Sequence, residues 1–292
     1  MLGPYDGLLN DSIPIIYCMC MSNFYSRCAP PRVTVAIPTV RLDAHLDAAV
    51  TSALTQTIDD LEVVVALDGE PIEDDRRSWM ADPRVRIRTR PSRRGTAATL
   101  NAVLGATNTP FFARLDADDI AEPHRLERQI AALDEHPEWS GVGSAATVID
   151  ESGRPLGHID VPTEDTARQL LRRNVFVHSA MVLRRSPLER VGGYDPDCVR
   201  MQDYDLWLRL SATCTLGNVP ERLVQYRVHD GMHSRRTPAF SASARKVIAS
   251  RRRLARSLGK PLVLQFAHDT GWTAGQVLRN AGLRRPRYLV TT

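Results

Sequence analysis

The chain has 292 residues, 43% of them hydrophobic and 25% charged, a composition typical of a soluble globular enzyme. This length allows one large core, or one core with a small extension. No apolar stretch approaches the roughly 20 residues that a membrane-spanning helix needs. The net charge of +4 is uneven: from Arg235 onward thirteen Lys and Arg residues accompany one acid, Asp269, which leaves +12 on this tail and −8 on the rest.

The cysteines and the N-terminal residues bear on the cellular compartment. The five cysteines are Cys18, Cys20, Cys28, Cys198 and Cys214. They show neither zinc-site nor redox-motif spacing and their number is odd, so a reducing cytoplasm is expected. Residues 1–30 include an apolar stretch, but no basic segment precedes it and no good cleavage site follows. We therefore expect a loosely ordered extension rather than a signal peptide.

Strand and helix patterns alternate over residues 33–135. Short β-branched or apolar runs predict strands at 33–37, 61–67, 85–89 and 111–115. Helices are predicted after Asp43, which can cap the first of them, over 96–106, and after Pro123. Such alternation predicts a mostly parallel sheet with helices on both faces.

The second half has a less regular pattern. Strands are predicted near 140–149, 178–184 and 223–228, and helical segments near 165–171 and 204–212. We interpret these as a mixed continuation of the same sheet, with Trp207, Leu208 and Leu210 in the core. Residues 241–258 predict a basic helix with a thin apolar component.

The segment Asp116-Ala117-Asp118-Asp119 follows the predicted strand 111–115. Several carboxylates at a strand end are hard oxygen ligands, which suit a divalent cation bound together with a phosphorylated ligand. Acidic turns between strand and helix are common, so an ordinary turn is the alternative. Pro38-Thr39 and Asp68-Gly69 also end strands, and parallel strands would bring all three ends to the edge where ligands bind. Asp68 would accept hydrogen bonds from a base or ribose, or would be a simple turn residue.

Further segments follow in a fixed order. They are Val35–Thr39, Glu62–Gly69, Gly95, Asn101, Leu115–Asp119, His178–Met181, Gly192–Asp195, Asp203–Leu208 and Tyr226–His229. In this order the chain resembles family 2 glycosyltransferases with the GT-A fold, from about Val33 to Ser234. The resemblance implies a Rossmann-like, mostly parallel central sheet with helices on both faces, and a nucleotide-sugar-dependent inverting enzyme.

The resemblance also implies a division of the chain. A GT-A domain would cover 31–235, with a nucleotide-binding half at 31–135 and an acceptor and catalytic half at 136–235. Residues 1–30 would be the N-terminal extension. Residues 236–292 would form a basic helical C-terminal extension.

The resemblance assigns site residues to the donor. Those placed at the nucleotide sugar are Pro38, Thr39, Asp68, Arg94, Asn101, Asp116, Ala117 and Arg227. Asp116 would face the ribose, and Asp118 would face a diphosphate bound to Mg²⁺ or Mn²⁺. His229 is either a further ligand of that metal or a structural histidine. Arg227 would contact phosphate bidentately.

Asp203 is the candidate general base, which would take a proton from the acceptor hydroxyl as it attacks the anomeric carbon. The alternative is that Asp203 merely caps the following helix. By the same resemblance, His178 and Gln202 would lie on the acceptor side, although packing explains His178 equally well. Gln202 stands where the family usually has Glu, which lowers the charge beside the base.

Two further positions depart from the family pattern. Arg93 stands where Asn is common, and Arg94 adds charge next to it. Both arginines would reach phosphate or would form a solvated basic turn. Arg41 replaces a frequent Asn after the first strand. None of these changes removes a group that the chemistry requires.

The sequence thus predicts a glycosyltransferase with a nucleotide-sugar donor and a glycan or lipid-linked acceptor. Two alternatives are a sugar nucleotidyltransferase, which would normally have glycines after the first strand, and a non-catalytic nucleotide- or membrane-binding member. The basic tail would be a solvated helix or would contact anionic lipid headgroups. Nucleic acid is not an expected partner, since no aromatic platform accompanies the charge. The expected location is cytoplasmic, with peripheral contact at the inner face of the membrane.

Overall fold

The computed structural model describes residues 30–69, 77–229 and 238–281. The expected N-terminal extension therefore lies outside the described residues, apart from its last position. How the chain divides into domains stays a prediction. In the described ranges no helix combines the length and the apolar content that a membrane crossing requires.

Nine strands of the described chain form one sheet. They are β1 (Val33–Thr39), β2 (Leu61–Asp68), β3 (Val85–Arg90), β4 (Phe111–Arg114), β5 (Ile120–Ala121), β6 (Trp139–Ile149), β7 (Pro155–Ile159), β8 (Val182–Arg184) and β9 (Thr215–Arg227). Their order is β3-β2-β1-β4-β8-β6-β9-β5, with β7 paired to β6. Strands β1 to β4 are parallel, whereas β8 is antiparallel to β4 and β6. The mixed continuation predicted for the second half is confirmed.

Eight α-helices flank this sheet in the described chain. They are α1 (Ala44–Leu54), α2 (Thr96–Ala106), α3 (Arg125–Glu135), α4 (Thr166–Leu170), α5 (Arg185–Arg190), α6 (Gln202–Ser211), α7 (Ala242–Ser257) and α8 (Leu262–Asn280). Asp43 caps α1 as predicted, since its carboxylate accepts a hydrogen bond from the Leu46 amide. Strands β5 and β7 and helix α5 were not predicted, whereas α8 lies within the helical extension predicted for 236–292 but without bounds of its own.

Apolar side chains fill two layers, one on each face of the sheet. One layer joins alternate residues of β1 and β2 to α1 and α3, and includes Ile37 and Leu126. The other joins the opposite face to α2, α6 and α7, and includes Leu100 and Val247. The predicted core residues Trp207, Leu208 and Leu210 are fully buried there. The burial of apolar area in these layers fixes the sheet that positions the site.

Asp205 joins α6 to α7 through buried polar contacts. Its carboxylate accepts hydrogen bonds from Arg209 Nε and Ser250 Oγ, each over 2.7 Å. We expect Asp205→Ala to lower the free energy of unfolding by about 3–5 kcal/mol, because it leaves a largely buried guanidinium without its counter-ion. Chemical denaturation measures this loss. The exposed pair of Asp134 with Arg32 offers the control, since Asp134→Ala should cost no more than about 1 kcal/mol. Equal losses for the two variants would contradict the bridging role.

Candidate active site

Three strand ends meet at one edge of the sheet, as the parallel pattern predicted. The register pairs Thr39 of β1 with Leu67 of β2, and Ala36 of β1 with Arg114 of β4. Thr39, Asp68 and Asp116 therefore follow the carboxyl ends of adjacent strands. In open α/β sheets this edge is the usual place for a bound ligand.

The acidic loop between β4 and β5 is anchored on both sides. The Asp116 amide donates to Ser179 Oγ over 2.8 Å. At the other end, β5 pairs with β9, and Asp119 Oδ1 accepts from the Arg227 amide over 2.7 Å. The loop is therefore held in place by main-chain and side-chain bonds, so little further ordering is needed when a ligand binds.

Arg227 lies behind this loop and holds it. Its Nε donates to the Asp118 carbonyl over 2.8 Å, and its NH1 donates to the carbonyls of Asp150 and Glu151 over 3.0 and 2.9 Å. The residue is only 4% exposed. The expected bidentate phosphate contact is therefore not favoured by the structure. Arg227 instead positions the backbone on which Asp118 stands.

Asp116 is paired with a buried arginine of its own strand. The Arg114 side chain is only 2% exposed, and its NH2 donates to Asp116 Oδ1. Burial opposes ionisation, but the Arg114 guanidinium lowers the pKa of Asp116 below its usual range. Asp116 thus carries a stable negative charge at the strand edge.

The next two carboxylates are more difficult to ionise. Burial and then the negative charge of Asp116 raise the pKa of Asp118, and the same two causes raise the pKa of Asp119 well above its usual value. A hydrogen bond from His229 opposes the shift at Asp118. Burial and mutual repulsion thus disfavour full ionisation of these two carboxylates, and a bound cation would offset both effects.

Asp118 of this loop and His229, which follows β9, form a pair of side chains that suits a metal ion. His229 Nε2 lies 3.0 Å from Asp118 Oδ2, and the two side chains are 20% and 31% exposed. Across the described residues no group of three or more His, Cys, Asp or Glu side chains is arranged around a common metal position. A carboxylate and an imidazole leave the other positions to phosphate oxygens and water, which fits Mg²⁺ or Mn²⁺ held jointly with a ligand.

Asp203 stands in the first turn of α6. The N-cap position is Met201, and no side chain makes a capping hydrogen bond there. Asp203 is therefore not the N-cap residue itself, but its carboxylate accepts from the Tyr204 amide and helps to hold the start of the helix. Asn174 Nδ2 donates to Asp203 Oδ2 over 2.8 Å. Burial raises the pKa of Asp203 despite this bond, and the negative charge of Asp116 adds to the shift. A carboxylate with a raised pKa is a stronger base.

Tyr194 and His178 lie between the carboxylates of the loop after β4 and the carboxylate of Asp203. Burial raises the pKa of the Tyr194 hydroxyl; the Arg114 charge opposes this shift, and the charges of Asp203 and Asp116 add to it. The loop after β4 and the start of α6 therefore face one region, although they lie far apart along the chain.

His178 occupies this region as a neutral imidazole. Its Nε2 lies 3.0 Å from the Tyr194 hydroxyl oxygen. Burial, then the charge of Arg114, lower the pKa of His178 to about 3. Its ring also packs against Trp207, with ring centroids 6.0 Å apart. His178 is thus placed on the Asp203 side, where its acceptor role stays a prediction.

Asn101 serves a different purpose from the one expected. Its Nδ2 donates to the Tyr194 carbonyl over 2.7 Å, and its Oδ1 accepts from the Tyr194 amide over 2.9 Å. The side-chain nitrogen and the side-chain oxygen of Asn101 thus both bond to the backbone of Tyr194, which follows Gly193. Gly193 has φ +65°, and a Cβ there would lie 2.5 Å from Asn101 Oδ1, so only glycine fits. Asn101 positions the Tyr194 turn, and its assignment to the nucleotide is corrected.

The remaining predicted donor residues line the strand edge. Asp68 accepts from the amides of Arg94 and Gly95 over 2.9 and 2.8 Å, and so holds the start of α2. Thr39 Oγ1 donates to the Arg41 carbonyl over 2.7 Å. Pro38, Ala117 and Gln202 are half-buried and the Arg94 side chain is exposed. Contacts from these residues to a nucleotide stay predictions. Each Asp68 oxygen accepts one backbone bond and has a further lone pair with which it could accept another.

Sequence reasoning missed three polar residues of this site: Arg114, Asn174 and Tyr194. Arg114 gave a usable signal, because a charged residue inside an apolar strand run is rarely buried without a partner. Tyr194 lay in a segment quoted for the resemblance but received no role. Asn174 lies in an irregular stretch with no pattern that singles it out.

A family model described as glycosyl transferase family 2 matches residues 34–192. The chain belongs to this family. It is therefore a glycosyltransferase, as the ordered motifs predicted. Family membership decides against the sugar nucleotidyltransferase, and the alternative of a non-catalytic member of the family is the one that transfer assays test.

Three relatives of this family 2 glycosyltransferase are named for surface polysaccharides or as transferases. The O-antigen biosynthesis glycosyltransferase WbnJ of Escherichia coli is 27% identical over 68% of this chain and 80% of its own length. The amylovoran biosynthesis glycosyltransferase AmsE of Erwinia amylovora is 29% identical over 66% and 74%. The putative glycosyltransferase EpsE of Bacillus subtilis is 28% identical over 81% and 90%.

Solved structures show the same fold. S. aureus TarS 1–349 superposes with a TM-score of 0.58 at 14% identity, over 87% of this chain and 73% of TarS. Its complex with UDP-GlcNAc gives the same TM-score at 15% identity, over 87% and 74%. The GT-A-type architecture implied by the sequence resemblance is confirmed.

Proposed function

We propose that this family 2 glycosyltransferase moves a sugar from a nucleoside-diphosphate donor to an acceptor hydroxyl with inversion at the anomeric carbon. The observation that carries the proposal is the meeting of two carboxylate groups in one region. Asp116 and Asp118 stand at the strand edge, where the Asp116 amide donates to Ser179 Oγ. The neighbouring His178 packs against Trp207 of α6, the helix in whose first turn Asp203 stands. A donor on the first group would present its anomeric carbon toward the second.

The donor would occupy the edge formed by β1, β2 and β4. Asp68 and Thr39 shape that edge through their bonds to Gly95 and Arg41, and Asp116 provides a fixed negative charge for ribose hydroxyls. A structure with this fold, S. aureus TarS, is known in complexes with UDP and with UDP-GlcNAc. That precedent supports a nucleotide sugar as the donor here.

Asp118 and His229 would hold Mg²⁺ or Mn²⁺ together with the donor diphosphate. When bound, such an ion would neutralise the diphosphate and stabilise the departing nucleotide. Arg227 keeps the Asp118 backbone in place for this purpose. The protein then needs no acid to protonate the leaving group.

Asp203 would take the proton from the acceptor hydroxyl. As the acceptor oxygen bonds to the anomeric carbon, the bond from that carbon to the diphosphate oxygen breaks on the opposite face, so the configuration inverts. The proton ends on a carboxylate oxygen of Asp203, whose raised pKa suits a general base. Asn174 orients this carboxylate through its bond to Oδ2.

The acceptor we propose is a glycan or a lipid-linked precursor of a surface polysaccharide. The names of two relatives, for O-antigen and amylovoran biosynthesis, support this class. A cytoplasmic location with peripheral contact at the membrane follows from the same proposal. Nucleic acid has no part in it.

The direct test is binding of a panel of nucleoside diphosphates with and without Mn²⁺, followed by transfer assays with the corresponding nucleotide sugars. We expect metal-dependent binding of one base, release of the nucleoside diphosphate, and a product of inverted anomeric configuration by NMR. A product that retains the donor configuration would contradict a single displacement with Asp203 as base.

Replacing Asn174 by Asp should move the acidic limb of the kcat/KM profile to higher pH. The Asn174 donor favours the ionised form of Asp203, and a carboxylate in its place would withdraw this bond and add negative charge. Both changes raise the pKa of Asp203, so less base is ionised at a given acidic pH. The new side chain can still accept from the Phe176 amide, as Asn174 does. The exposed Asn108 provides the control variant, Asn108→Asp, whose profile should not move. An unmoved or oppositely moved limb for Asn174→Asp would argue against the base.

A further inference from the structure

Helix α8 packs against the protein through a mixed side, on which Leu262 and Trp272 contact the core beside several buried polar residues. Gln265, Asp269 and Gln276 are buried. Asp269 pairs with Arg251 over 3.2 Å and with Arg252 over 2.9 Å, both from α7. Surface helices of globular proteins normally bury an apolar stripe and expose a polar one. On α8 the ion pairs to α7 lie on the inward side, and large apolar residues such as Val263 and Leu264 are left on the outward side.

The outward side of α8 is uncharged over the whole helix. The residues on it recur at the three- and four-residue spacing of one helical face, and all are exposed: Val263, Leu264, Ala267, Thr270, Gly271, Ala274, Val277, Leu278 and Ala281. Of nine exposed large hydrophobic residues in the described chain, five lie on α8. Val263 is 80% exposed and Leu264 59%. An apolar surface of this kind marks an interaction site.

The chain segments at both ends of α8 are positively charged. Arg253, Arg256 and Lys260 are exposed just before α8, and Arg279 is exposed near its end. The single acid among residues 238–281 is Asp269, which is buried in its ion pairs. A partner for this surface must therefore supply both an apolar layer and negative charge.

We propose that the outward face of α8 lies in the interfacial region of an anionic phospholipid membrane, parallel to its plane. Apolar side chains there enter the acyl boundary while flanking Lys and Arg contact the headgroups. A second copy of the chain would satisfy the apolar side chains but would bring the same basic residues together. The charge therefore favours lipid over self-association.

This surface differs from the one that the sequence suggested. The basic helix 241–258 was the expected lipid contact, but Arg251 of α7 is fully buried and donates to the Leu171 carbonyl. Arg252 is taken up by Asp269 and by the Phe266 ring, 3.9 Å from its guanidinium carbon. Two of the basic residues of α7 thus hold α8 in place, and the proposed lipid-contacting surface belongs to α8.

The inference goes beyond the proposed transferase reaction, and its test needs no transfer. The full chain is sedimented with vesicles of phosphatidylglycerol and phosphatidylcholine in equal parts, and with vesicles of phosphatidylcholine alone. We expect binding to the anionic vesicles only. Leu264→Ser with Leu278→Ser should weaken it at least about tenfold. Each of Arg253→Gln and Arg256→Gln should weaken it about fivefold.

Matched controls separate this result from general surface effects. Val199 is 77% exposed and lies away from α8, so Val199→Ser should bind vesicles like the original chain. Thermal unfolding and nucleoside diphosphate binding should be unchanged in the serine variants. If vesicle binding is absent, or is unaffected by the α8 substitutions, the proposal is wrong. It is also wrong if those substitutions instead dissociate a dimer detected by light scattering, which would assign the face to a second copy.

Discussion

Asp203→Asn should reduce kcat by about 10²–10⁴-fold, the range that a positioned general base contributes. The amide keeps the shape of the side chain and can still occupy the place beside Asn174, but it cannot accept the acceptor proton. Since Asp203 lies on the α6 side, away from the strand edge, nucleoside diphosphate affinity should change little. Steady-state transfer assays and calorimetric titration with the nucleotide measure the two quantities separately.

Asp195→Asn is the matched control for loss of a nearby carboxylate. Asp195 pairs with Lys246 over 2.5 Å and has no place in the proposed reaction, so this variant should retain transfer. If Asp203→Asn retains transfer within about tenfold of the original chain, the general base lies elsewhere. If it loses nucleotide binding as well, the substitution has disturbed the fold of the site.

Asp118→Asn should remove the response to added metal. Its carboxylate is the proposed metal ligand beside His229, and the loss of its charge should weaken metal-dependent donor binding and reduce kcat/KM by about 10²–10³-fold. The backbone of the loop should survive, because Arg227 holds the Asp118 carbonyl and not its side chain. Titration with Mn²⁺ in the presence of the nucleoside diphosphate is the measurement.

Asp150→Asn controls for charge near the loop. Asp150 caps its own turn through Ser152 and Arg154, so its replacement should leave the metal response intact. If Asp118→Asn responds to metal like the original chain, the metal must be held by other residues. His229→Gln then distinguishes ligand from neighbour, since a ligand variant should need more Mn²⁺ for the same rate.

The regular half of the fold was predictable from the sequence because its strands are short β-branched or apolar runs that alternate with helical patterns. Strands β1 to β4 and helix α2 lie where the pattern placed them. Strand β5 has two residues and exists through its pairing with β9, so local pattern could not reveal it. Helix α8 lies within the predicted helical extension, but its outward-facing apolar residues were not predicted, because surface helices normally turn their apolar side toward the core.

One part of the candidate site could also be predicted from the sequence, and another part could not. That parallel strand ends share an edge follows from topology alone, so the meeting of Asp68 and Asp116 was predictable. The direction of a polar side chain was not. Asn101 bonds to Tyr194, 93 residues away, and Arg227 bonds to Asp118, 109 residues away. A motif names such residues without showing whether they point at a ligand or at the backbone.

The position of β5 limits which segments of this enzyme could be exchanged with those of a relative. This strand belongs to the first half of the chain, yet it pairs with β9 of the second half at the far end of the sheet. A chimera that received residues 136–235 from a relative would need residues 115–121 from that relative too, or it would lose the β5–β9 pairing and the Asp119–Arg227 bond. The loop 116–119 and residues 136–235 would therefore have to be exchanged together rather than as independent segments.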